Sequence, residues 1–142
     1  TPERTVVETD ISQVTLPVER GVVTLLPNHI PYIGALQPGE IIIRSGEKDE
    51  ETSLATSGGF VEFHDNTLLI LADTAERAEE IDIERAEEAR KRAEELKNER
   101  LHLDDEEYAR TAALIDKELA RIRVARKHRS RAGVFHTDPT DF

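Results

Sequence analysis

The residues with the most chemistry to offer sit in two stretches of charged, helix-forming sequence. In Ile81-Asp82-Ile83-Glu84-Arg85-Ala86 an acid and a guanidinium stand three residues apart, and Arg92 follows two turns later. Projected at about 100° per residue, Asp82 falls in the middle of a stripe of Ala75, Ala78, Ala86, Ala89, Ala93 and Leu96, with Arg85 and Arg92 at its edge. At that spacing Asp82 and Arg85 can form an ion pair beside small residues. The second concentration is Arg121, Arg123, Arg126, Lys127, Arg129 and Arg131, with no acid among them. It suits an acidic protein partner, and equally the negative end of a helix macrodipole.

Other chemistry is missing. His29, His64, His102, His128 and His136 show no metal-ligand spacing. No GxSxG, Walker A or GxGxxG motif occurs. Most carboxylates fall on helix faces that water should cover. A stand-alone nucleotide hydrolase would need a phosphate loop or a metal motif. The residues alone therefore point to a two-part binding or regulatory protein, not a self-contained enzyme.

The 142 residues suffice for one ordinary domain or two small ones. Cys is absent, which rules out disulfides and thiolate sites and fits a reducing compartment. Met is absent too, so the sequence is expected to begin after the true N-terminus. No apolar run approaches the roughly 20 residues needed to span a bilayer, and no signal-peptide pattern opens the chain. The net charge of −11 is uneven: residues 1–73 carry 12 acids against 4 bases. So acidic a body disfavours nucleic acid, whose phosphates it would repel.

The elements that must position these charges change character at Asp73. Upstream, short apolar runs alternate with turn signals. Val14 and Leu16 precede Pro17, Val22 to Leu26 stops at Pro27, and Ile41 to Ile43 is β-branched. Val61 and Phe63 alternate with polar residues. Asp65-Asn66 reads as a two-residue hairpin turn, and Leu68 to Leu71 as a fully buried returning strand. This spacing predicts an antiparallel β-sandwich over 1–73. Gly58-Gly59 predicts a bulge or a close backbone approach.

Downstream, Thr74 to Arg100 contains no Gly or Pro. It predicts a helix capped by Thr74, roughly 40 Å long if it runs to Leu101. The helix should break near Leu101-His102-Leu103. Asp104, with Glu107 three residues on, has the spacing of a capping box for a second helix. Tyr108, Ala112, Ile115, Leu119 and Ile122 form a seam for the Ala stripe. An antiparallel two-helix hairpin over 74–130 follows, with a flexible tail over 131–142. Each buried methylene contributes only about 0.8 kcal/mol, so an Ala seam should dock weakly and be able to separate.

Five segments then stand in one order: TPER (Thr1 to Arg4), LPNHIPYIGALQPG (Leu26 to Gly39), SGGFVE (Ser57 to Glu62), LADTAERAEEID (Leu71 to Asp82) and RIRVARK (Arg121 to Lys127). Together they resemble the ε subunit of bacterial-type F-type ATP synthase, over about residues 1 to 130. The resemblance implies a non-catalytic rotor subunit of the proton-transporting enzyme, peripheral on the cytoplasmic face of an energy-transducing membrane. It implies a sandwich bound to the γ subunit and resting on the ring of c subunits, with ring contacts at Arg20, Val22 and His29. The hairpin would lie compactly on the sandwich or extend toward the catalytic α and β subunits and inhibit ATP hydrolysis. Arg121, Arg123 and Arg126 would then meet the β subunits.

The family's first strand begins several residues before TPER, and Val22, Thr24 and Asn28 depart from the usual ring-facing loop. Some bacterial members bind ATP on the folded hairpin through I/L-D-x-x-R-A, which Ile81 to Ala86 matches in full. The resemblance thus implies a regulatory ATP site of Glu76, Asp82, Arg85, Arg92, Lys117 and Arg121, with no cofactor required for the rotor role. Lys117 stands where such members carry Arg, a point charge in place of a planar fork. Asp82 and Arg85 keep two readings, ion pair or nucleotide site. The competing view of the whole chain is a free-standing helical-hairpin adaptor on a β domain.

Overall fold

The computed structural model describes residues 10–99 and 104–134. Eight strands come first: β1 (Ile11–Val18), β2 (Gly21–Leu25), β3 (Tyr32–Leu36), β4 (Gly39–Ser45), β5 (Glu50–Thr56), β6 (Gly59–His64), β7 (Thr67–Ala72) and β8 (Ala75–Arg77). A single 3₁₀ turn, Ala78–Glu80, leads into helices α1 (Ile83–Asn98) and α2 (Asp105–Val134). All strand pairs are antiparallel, in the order β7-β6-β3-β1-β4-β5-β8, with β2 on β1. Only Val18 and Leu36 link β1 to β3, and there the sheet folds over itself. Between its halves lies a core of Val14, Leu16, Leu25, Leu36, Ile41, Val61 and Phe63. The expected sandwich followed by a helical hairpin is the architecture.

Local signals act as their chemistry requires. Asp65 and Asn66 both adopt positive φ, 48° and 60°, and close the β6–β7 hairpin. Pro17 lies within β1, beyond the end of the β4 pairing at Thr15, so its missing N–H breaks no bond on that side. At Gly59 a Cβ would come within 2.1 Å of the Leu71 carbonyl oxygen, so only Gly admits the close β6–β7 approach. Asp104 Oδ1 accepts the Glu107 N–H at 2.8 Å, and Glu107 Oε2 accepts the Asp104 N–H at 3.3 Å, completing the capping box.

Four expectations are corrected. The stretch after Thr74 does not begin as a helix, because the open edge of β5 recruits Ala75–Arg77 as β8, pairing Ala55 with Glu76. Thr74 caps nothing, its hydroxyl instead donating to Ser57 Oγ at 2.7 Å. Leu68 to Leu71 is not fully buried: the strand alternates, and Leu69 and Leu71 are about half exposed. Residues 131–134 of the expected tail continue α2, which runs to Val134. The remainder of that tail, the break at Leu101 to Leu103 and the TPER segment lie outside the described residues.

The helices are antiparallel: Lys97 sits 5.4 Å over the Tyr108 ring near one end, and Glu87 pairs with Arg126 toward the other. Ala86 and Ala93 are fully buried at the seam with Ile115 and Ile122, whereas Leu119 turns outward. The hairpin lies on the sandwich through a second small core of Ala55, Ala78, Ile81, Val124 and Ala125.

Candidate functional site

The charged residues converge where α2 crosses the β4–β5–β8 edge. Strand register places Glu40, Ala55 and Glu76 side by side, so these three share one sheet face. Ser53 and Glu51, two and four positions from Ala55, share it as well. Ala55 leaves a shallow groove, and Val124 and Ala125 of α2 pack into it.

Ion pairs surround this contact. Arg121 donates through Nε to Glu76 Oε2 at 2.8 Å and through Nη2 to Glu76 Oε1 at 3.2 Å. Its Nη1 donates to Glu118 Oε2 at 2.8 Å, and Glu118 is only 4% exposed. Burial alone would lower the Arg121 pKa, but its hydrogen bonds and charge contacts with Glu76 and Glu118 outweigh that and leave it raised. Lys127 Nζ donates to Glu40 Oε2 at 2.6 Å, while Ser53 Oγ donates to Glu40 Oε1 at 2.6 Å. Arg131 Nη1 donates to Glu51 Oε1 at 2.5 Å, and Arg44 holds the other oxygen at 3.3 Å. Arg126 pairs with Glu87 of α1. The basic stretch therefore does more than balance a helix dipole.

The residues of the expected nucleotide site are brought together only in part. Glu76 and Arg121 meet directly. Asp82 does not pair with the Arg85 side chain. It is the N-cap of α1, its Oδ1 accepting the Arg85 backbone N–H at 3.2 Å. Because the helix starts at Ile83, the buried stripe falls on Ala86 and Ala93. Arg85 and Arg92, one residue before each, turn to solvent. Arg92 lies 3.9 Å from Glu88, and Lys117 is half-buried on α2. Arg123 is exposed.

The expected ring contacts separate. Arg20 and Val22 lie at one end of β2, and His29 lies past the other, its ring 6.1 Å from Phe63 and edge-on to it. The loop carrying His29 also exposes Leu26 and Ile30, and is tied to the β6–β7 turn by the Asn28 N–H on Asn66 Oδ1 at 2.6 Å. Among the described residues no cluster of His, Asp and Glu could hold a metal ion, and no helix is long and apolar enough to cross a membrane.

A second surface escaped sequence reasoning. Ile33, Phe60, Leu69 and Leu71 stand on one face of β3–β6–β7, with Phe60 opposite Leu71 and Leu69 opposite Glu62. Ile33 is 76% exposed and Phe60 64%. Adjacent large apolar side chains in water mark an interaction surface. The alternation along β7 was the available signal, hidden by an unbroken apolar run.

A folded sheet with a bare apolar face, carrying a helical hairpin clasped by ion pairs, defines a two-part binding protein. Residues 1–78 match the family described as ATP synthase, Delta/Epsilon chain, beta-sandwich domain, and residues 79–126 match its long alpha-helix domain. The chain belongs to the ATP synthase delta/epsilon family, whose members are non-catalytic subunits of that enzyme. The ATP synthase epsilon chain of Chloroflexus aggregans is 42% identical over 130 residues, covering 91% of this chain and 90% of that one. That of Moorella thermoacetica is 43% identical over 125 residues, covering 88% and 91%. Among solved structures, a chain of the Euglena gracilis mitochondrial ATP synthase OSCP/F1/c-ring assembly shares the fold. Its TM-score is 0.66 at 21% identity, over 78% of this chain and 67% of that one.

Proposed function

We propose that the chain is a central-stalk rotor subunit of a proton-transporting F1Fo ATP synthase. Its sandwich joins the γ subunit to the c-ring, and its hairpin regulates ATP hydrolysis at the α and β subunits. The observation that carries this reading is the bare face of Ile33, Phe60, Leu69 and Leu71 on an otherwise acidic chain. We assign γ to that face, and the ring to the end of the sandwich bearing His29 with exposed Leu26 and Ile30. Its place is peripheral, on the cytoplasmic face of the membrane, and it meets the membrane only through the complex.

The test is capture by purified γ of the wild-type chain beside Phe60→Asp/Leu71→Asp. Wild type should bind and the variant should not, with circular dichroism unchanged. Failure of γ to capture the wild-type chain would leave the free-standing adaptor as the better account.

The same reading gives the hairpin a regulatory ligand, ATP, with no cofactor needed for the rotor role. It is supported by the complete I-D-x-x-R-A match and by the exposure of Arg85 and Arg92. Both guanidiniums remain open to phosphate oxygens on the solvent side of α1.

A further inference from the structure

We propose that Glu40, Glu51 and Glu76 form an electrostatic latch that holds α2 on the sandwich by occupying Lys127, Arg131 and Arg121. The contact they surround is small: one Val, one Ile and three Ala make up its buried apolar residues. Ala side chains bury little area, so apolar burial discriminates weakly between docked and undocked helix. The charges follow a layout that apolar packing would not require. Glu40 and Glu76 flank Ala55 on either side, and Glu51 lies one turn of α2 further along, where Arg131 follows Lys127 by four residues.

Two of the acids also have side-chain partners on the sandwich itself. Glu40 is held by Ser53, and Glu51 by Arg44. Glu76 sits on the β8 ladder, its backbone fixed opposite Ala55. A preorganised acceptor loses less side-chain freedom on pairing, so more of the Coulomb gain remains for docking.

The latch is exchangeable. The side chains of Lys127 and Arg131 stay 44% and 51% exposed in the docked state, so salt screens them. The same cations serve one acidic surface at a time. While they are held by the sandwich they cannot meet an acidic partner elsewhere, and an undocked helix presents all of them at once. That regulatory consequence rests on the hairpin role proposed above. The docking equilibrium does not, and it is measured on the chain alone.

Because the chain has no native Cys, Gln37→Cys/Ser130→Cys gives a clean dye pair, with one dye on the sandwich and one on α2. Energy transfer in the isolated full-length chain reports docking. Each pair is worth roughly a factor of two, so neutralising three should raise the open-to-closed ratio by roughly tenfold. Glu40→Gln/Glu51→Gln/Glu76→Gln should therefore open the hairpin at low salt. A similar opening should appear in the unneutralised chain on going from about 0.1 M to about 1 M KCl, where the screening length falls from about 10 Å to about 3 Å. Glu40→Lys should open it, and adding Lys127→Glu should close it again.

Transfer that stays unchanged in both the neutralised chain and the salt series would overturn the latch and leave the apolar contact as sole clasp. If the neutralised chain loses its β-sheet dichroism, the salt series on the unneutralised chain decides alone. Loss of γ capture with an intact salt response would count against the rotor reading and not against the latch.

Discussion

Glu76 and Arg121, 45 residues apart in sequence, are joined by two parallel hydrogen bonds, at 2.8 and 3.2 Å. The pair connects the last strand of the sheet to the middle of α2. Its fork geometry fixes orientation as well as distance. Arg121 also neutralises Glu118, which is buried one turn earlier on α2. One guanidinium thus ties β8 to α2 and satisfies a buried acid within α2, and the consequences of removing it differ from those of removing Glu76.

Arg121→Ala should destabilise the chain more than Glu76→Ala. The first strands a buried carboxylate, at a cost of about 1.5–3 kcal/mol for a charged hydrogen bond. The second leaves Arg121 paired with Glu118. Urea midpoints measured side by side check the order. The raised Arg121 pKa sets the pH behaviour. A raised value contributes stability that is fully present below the unfolded pKa and lost only as pH climbs through the folded one, in strongly alkaline solution. The gap between wild type and Arg121→Ala should therefore stay constant from about pH 7 to about pH 9.

Residues 1–77 should bind γ without the hairpin, because the bare β3–β6–β7 face lies wholly within them. A chain cut after Asp73 keeps that face but loses β8, which leaves the β5 edge unpaired and prone to self-association. Gel filtration should show the shorter fragment aggregating and the longer one monomeric. Failure of the longer fragment to capture γ would assign the contact to the helices instead.

What could be read from sequence was local. The Asp65-Asn66 turn and the Asp104/Glu107 capping box depend on residues within a few positions of each other, and both formed. The helix start failed because Ala75-Glu76-Arg77 is helical by composition, while the unpaired edge of β5, about twenty residues earlier, claims it as strand. Leu68 to Leu71 failed because an unbroken apolar run does not reveal that one face lacks a covering layer. The 82–85 spacing was recognised correctly, but the bond it makes is a backbone cap. Lys127 meets Glu40 across 87 residues and Arg131 meets Glu51 across 80, contacts that no local period encodes.

Replacing Arg121, Arg123 and Arg126 together by Ala should relieve inhibition of ATP hydrolysis when the chain is added to an αβγ complex. Exposed pairs contribute about 0.2–1 kcal/mol each, so the triple change should weaken inhibition by several-fold or more. Arg123 is exposed with the hairpin docked, whereas Arg121 and Arg126 must first leave Glu76 and Glu87. Arg123→Ala alone should therefore leave docking unchanged while reducing inhibition slightly. Dose–response curves at low salt measure this, and full inhibition by the triple variant would remove the cluster from the inhibitory contact.

ATP should favour the docked hairpin. Asp82 caps α1, Arg85 and Arg92 lie on it, and Lys117 and Arg121 lie on α2, so a nucleotide reaching both helices stabilises only the state in which they are close. The gain is RT ln(1 + [L]/Kd). Arg121 already has two carboxylate partners, so the phosphates must draw chiefly on Arg85 and Arg92, which face solvent. Arg85→Ala removes a charge-assisted contact worth roughly 1.5–3 kcal/mol and should weaken ATP binding at least tenfold. Its backbone N–H still caps on Asp82, so the start of α1 should survive and helical dichroism should not change. Calorimetric titration of the isolated chain, wild type beside Arg85→Ala, measures the difference. Absence of binding heat for wild type up to about millimolar ATP, about 4 kcal/mol of affinity, would leave Asp82 as a helix cap and Arg85 as a solvated cation. Nucleotide sensing would then have no place in this subunit.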